Sequence, residues 1–149
     1  MSRRVTTTIF WLYALSVVAI TMFPITPHPQ SYWIRAGEPW WTTIHWIPFD
    51  VDAPSTVLNV IMFVPFGVLV PLLRPATDAV RRIAAYGAGA SALIELTQFV
   101  LGVTIGSRRT VDVNDLLANT AGAVIGLLLL RLAIPLRRHR AELVRRRAD

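Results

Sequence analysis

A carboxylate in the middle of an apolar run is the first feature that demands a chemical explanation. Glu95 stands inside the run 83–105, and a carboxylate at the centre of a bilayer costs on the order of 3 kcal/mol. It must face protein, carry a proton or meet a donor. Helical spacing gives it companions: Ser91, Glu95, Gln98 and Gly102 recur at i, i+4, i+7 and i+11 along one stripe, which Ala84 and Ala88 extend. A second stripe has the same spacing and consists of Asp115, Asn119, Gly122 and Gly126. Ahead of it, Asp112 is placed to cap a helix, with Asp115 in the first turn, where the helix dipole favours negative charge. Gly122 and Gly126 form G-x-x-x-G, which admits a second backbone at close range and is the expected seam of a homodimer. Asn59 opens a further apolar stretch containing Phe63, Pro65 and Gly67, and Pro65 should free a carbonyl near Ile61 for a neighbour's polar side chain. Arg109 lies on a short hinge between the two stripes, within reach of Glu95 or Asp112.

Asn59, Glu95, Gln98, Arg109, Asp112, Asp115 and Asn119 therefore make up the expected ligand-binding set. Buried charges require pairing and full hydrogen bonding, so these groups should form one network. Its first use is to bind an envelope lipid or its headgroup. Paired carboxylates also suit acid–base work on a lipid or, together with Asp50 and Asp52, a divalent ion held through oxygen. An intramembrane Glu is also what a proton-coupled carrier employs. The plainest alternative is a network that only fixes helix register, with Asp112 and Asp115 as mere caps. No nucleophile motif, histidine-based metal motif or phosphate loop is present; His28, His45 and His139 are scattered, and no metal site or cofactor is assigned. The absence of cysteine removes disulfides and thiolate chemistry.

These residues need elements to hold them. The chain has 149 residues, 54% of them hydrophobic, and its apolar residues fall into four runs, at about 8–25, 56–73, 83–105 and 113–134. Each is near the ~20 residues that span the hydrocarbon core as a helix. The expectation is an all-α, polytopic membrane four-helix bundle occupying 1–149 as one domain. The first run follows Arg3 and Arg4 as a signal peptide would. Pro24, Ile25, Thr26 and Pro27 supply no small-x-small cleavage site, so a retained anchor is expected.

The pI of about 11.2 raises nucleic acid as a partner, but the basic residues flank apolar runs and form no stripe on a soluble face. All fifteen are arginine. With the N-terminus inside, eleven lie on the inner side and three (Arg35, Arg108, Arg109) on the outer, while Arg131 near the inner end of the fourth run can snorkel inward. That bias places both termini in the cytoplasm and Asn59, Gln98, Arg109, Asp112, Asp115 and Asn119 in the outer third of the bilayer, with Glu95 just below them. The outer loop 26–55 carries Trp33, Trp40, Trp41 and Trp46 and should lie at the headgroup level, as an aromatic belt or a lid. The tail 135–149 is basic and should rest on the anionic inner leaflet. Membrane lipids are the expected partners.

Three motif stretches carry a resemblance. Residues 59–67 read N-V-I-M-F-V-P-F-G, 91–98 read S-A-L-I-E-L-T-Q, and 109–126 read R-T-V-D-V-N-D-L-L-A-N-T-A-G-A-V-I-G. In this order they resemble the N-x-x-x-F-x-P-x-G, S-x-x-x-E-x-x-Q and R-x-x-D-x-x-D-x-x-x-N-x-x-G-x-x-x-G patterns of the VanZ-like family, named for a protein associated with teicoplanin resistance. The I-P-F run at 47–49 is similar to the stretch before that family's second span. The resemblance covers about 47–126. It implies a polytopic membrane protein with a cell-envelope role bearing on glycopeptide susceptibility, and it supplies no reaction.

Overall fold

The computed structural model describes residues 2–23, 44–45, 47–48, 53–105 and 111–146. The expected outer loop is thus described only at 44–45, 47–48 and 53–55, and its tryptophans, like Arg108 and Arg109, lie outside the described residues. Four helices dominate: α1 (Arg3–Met22), α2 (Ala53–Leu73), α3 (Val80–Ile105) and α4 (Val113–Arg146). Each contains a segment long and apolar enough to cross a membrane, so the expected four-helix membrane bundle is present. The boundaries fall within a few residues of those read from hydropathy, except at two ends. α1 starts at Arg3, where Ser2 Oγ accepts from the Val5 N–H at 3.4 Å. α4 continues to Arg146 through much of the stretch expected as a tail. Exposed hydroxyls along the spans are met by their own helix: Thr7 and Ser16 donate to the carbonyls of Arg3 and Leu12, both at 2.9 Å, so no lipid-facing hydroxyl among them is left bare.

A turn of 3-10 helix, Pro75–Thr77, links α2 to α3. Such a short link makes the two helices antiparallel. α2 and α4 share the most extensive interface, and their contacts advance together along both chains, so this central pair is parallel. A Cβ on Gly122 would run into the Val60 carbonyl, one on Gly126 into the Val64 carbonyl, and one on Gly67 into the Ala123 carbonyl. Only glycine permits that approach, and in lipid, where apolar burial gives helices no preference for each other, close van der Waals packing is what holds them. This finding corrects the expected dimer seam: the G-x-x-x-G face is covered by α2 of the same chain. α1 and α3 flank the pair, and the apolar core consists of Phe63, Ile83, Ala123 and Leu127.

Pro65 and Pro71 both lie inside α2. The Tyr13 hydroxyl of α1 donates to the Met62 carbonyl at 2.9 Å. A neighbour's side chain thus reaches α2 beside Pro65, one residue beyond the expected Ile61.

Candidate functional site

The polar stripe of α3 points inward. Ser91 is 0% exposed, Glu95 6% and Gln98 7%, while Leu93 and Leu96 between them are 64% and 58% exposed. The bundle is thus inverted relative to a soluble one, with its apolar side chains turned out to lipid. α4 faces this stripe with Asn119, 2% exposed, whose Nδ2 donates to Ser91 Oγ at 2.9 Å.

Seven residues before Asn119, just ahead of α4, the backbone N–H of Asp112 donates to Glu95 Oε2 at 3.1 Å. That bond gives the buried carboxylate a protein donor. The side chain of Asp112 turns the other way. Its Oδ1 accepts from the Asn114 N–H at 2.8 Å and from Asn114 Nδ2 at 2.9 Å, which is the capping bond expected at a helix start. Asp115 stands in the first turn of α4, half-buried. The Glu95 carboxylate is thus tied to the Asp112 backbone where α3 meets the start of α4. Among the described residues, no group of three or more His, Asp or Glu side chains is arranged to hold a metal ion.

A second tie holds this end together. Val111–Asp112 (β2) pairs in parallel with Ile44–His45 (β1), with His45 opposite Asp112. His45 Nδ1 lies 3.7 Å from Asp112 Oδ2, and Asn114 Nδ2 donates to the Ile47 carbonyl at 3.1 Å. The segment before α2 is thereby fastened over the start of α4.

Of the seven expected residues, Glu95, Asp112, Asp115 and Asn119 line the α3–α4 seam. Gln98 is buried but leaves the network: its Nε2 donates to the Thr21 carbonyl of α1 at 3.0 Å, which docks α1 onto α3. Asn59 lies on α2, half-buried, with its Nδ2 enclosed and without a hydrogen-bond partner among the described residues; the Oδ1 of Asn119 is in the same condition. Arg109 lies outside the described residues. Sequence reasoning passed over Asn114, His45 and the hydrogen-bonding role of Ser91. Asn114 sits two residues past an Asp at a helix start, a capping pattern that pointed to it. His45 had no such signal, because its partner is far along the chain.

A bundle of four apolar helices with an inward polar seam defines the class: a polytopic membrane protein. The chain belongs to the VanZ/LLP1 family, whose model matches residues 10–134. No curated protein and no solved structure matches it.

Proposed function

We propose that the α3–α4 seam is a binding site for the headgroup of an envelope lipid, opening at the non-cytoplasmic face of the membrane. The observation that carries this reading is two enclosed amide atoms, the Asn59 Nδ2 donor and the Asn119 Oδ1 acceptor, that have no hydrogen-bond partner among the described residues. Leaving a buried polar group unpaired costs about 1–3 kcal/mol. Asn119 lies on the seam, bonded to Ser91, and Asn59 lies on α2, the other helix packed against α4. The local chemistry defines the ligand further. Carboxylates and amide oxygens accept hydrogen bonds, so the site suits a headgroup rich in hydroxyl or ammonium donors, and Arg109 on the hinge can answer a phosphate. The arginine distribution supports an orientation with both termini in the cytoplasm. Membership of the VanZ/LLP1 family supports an envelope role that bears on glycopeptide susceptibility.

The test is retention of phosphatidylethanolamine and of a glycosyl diacylglycerol by the purified protein and its Glu95→Gln and Arg109→Ala variants. Weaker retention by both variants is expected, and equal retention by all three proteins removes the site from consideration. In cells, deletion of the gene should alter glycopeptide susceptibility, and complementation with Glu95→Gln should fail to restore it. The Glu95 carboxylate held at Asp112, with Asp115 in the first turn of α4, favours a second reading, acid–base turnover of the bound lipid. Turnover of a labelled lipid by the native protein that disappears in Asp115→Asn would select it.

A further inference from the structure

The opposite end of the bundle carries a different feature. A groove of about 830 Å³ opens there between α1, α2 and α4, walled by Thr6, Leu69, Leu72, Leu129 and Ala133, with Arg3 at its edge. The polar seam reaches Asn119 on α4 and the groove begins at Leu129, ten residues on, so roughly 15 Å of helix separates them. Its walls are mostly apolar and face the acyl region, where a groove this large and open fills with hydrocarbon chain.

The charges around it are unbalanced. Arg3 and Arg4 stand at the start of α1, and Arg74, Arg81 and Arg82 stand around the α2–α3 link. The carboxylate of that link, Asp78, is already engaged: Arg131 Nε donates to its Oδ1 at 2.8 Å and Arg131 NH2 to its carbonyl at 3.1 Å. Among the described residues no carboxylate forms an ion pair with Arg3, Arg4, Arg74 or Arg81. The N-terminus of α1 adds the partial positive charge of a helix start at the same place.

We infer that this groove is a binding site for an anionic glycerophospholipid, with an acyl chain laid between α1, α2 and α4 and the phosphate held by Arg3. The apolar walls fit the chain, and Arg3, which lines the groove and has no ion pair among the described residues, fits the headgroup. Basic pockets between transmembrane helices on the cytoplasmic side are a known setting for anionic headgroups. The site is separate from the α3–α4 seam and does not depend on what that seam binds.

Native mass spectrometry of the purified full chain, released from nanodiscs made of equal phosphatidylglycerol and phosphatidylcholine, reads the retained lipid directly. Phosphatidylglycerol should be retained in preference. Arg3→Gln should lower the ratio of retained phosphatidylglycerol to phosphatidylcholine by about fivefold, as expected for one phosphate contact. Ala133→Trp, which fills the groove from its α4 wall, should abolish selective retention. Arg81→Gln removes the same charge away from the groove walls and should leave the ratio within about twofold. Equal retention of the two lipids by the native chain overturns the inference. So does an equal fall in Arg81→Gln and Arg3→Gln, which would reduce the effect to net charge.

Discussion

The two faces of α4 are held by different physics. Toward α2, Gly122 and Gly126 meet backbone carbonyls directly, and the seam is dry and shape-matched. Toward α3, Asn119 and the Asp112 backbone meet Ser91 and Glu95 through hydrogen bonds. In lipid both must substitute for the missing hydrophobic drive. The shape-matched seam has no freedom to adapt, because its contacts are backbone on backbone. The hydrogen-bonded seam can exchange partners, and it holds the Asn119 Oδ1, which has no partner among the described residues. Rigidity and a candidate site thus divide between two faces of one helix.

The comparison breaks most severely at the glycines. Gly122→Leu and Gly126→Leu should each destabilise the bundle by about 3 kcal/mol or more, because the clash is with backbone and cannot be relieved by a rotamer change. Reversible unfolding in mixed micelles reads this. Gly89, which has nothing within 4 Å of an added Cβ, is the control, and Gly89→Ala should stay within about 0.5 kcal/mol of the native chain.

At the polar seam the expected effect is smaller. Glu95→Ala leaves the Asp112 N–H without its acceptor and should cost about 1–3 kcal/mol in the same assay. Smaller again is the Ser91–Asn119 bond. A double-mutant cycle with Ser91→Ala and Asn119→Ala should return a coupling of about 0.6 kcal/mol and no more than about 1.7. A value near zero would mean that the α3–α4 seam holds by packing alone, and the contrast between the faces would vanish. The weakest prediction concerns the half-exposed Arg131–Asp78 pair. Arg131→Gln should cost under about 1 kcal/mol, and less in high salt.

Much of this was legible in the sequence. The four apolar runs gave the spans, because lipid leaves the backbone no alternative to a helix. The i, i+4, i+7 spacing put Ser91, Glu95 and Gln98 inside, and the Asp112 cap and the Asp115 first-turn position appeared where expected. A stripe names a face, however, and not the neighbour that covers it. Asn119 went to α3 while Gly122 and Gly126 went to α2, and the dimer reading failed on that point. Gln98 reaches Thr21 across 77 residues and Asn114 reaches Ile47 across 67. Such contacts depend on how the helices are arranged, which periodicity within one helix does not encode. The same is true of the His45–Asp112 pairing.

The central claim is that the polar side chains of α3 and α4 meet each other and not lipid. The chain has no cysteine, so paired cysteines report this without background. Ser91→Cys with Asn119→Cys, oxidised in native membranes and scored by loss of maleimide labelling, should form a disulfide in nearly every molecule. If that pair stays reduced while Leu93→Cys with Asn119→Cys closes instead, α3 presents its leucines to α4 and the account is wrong.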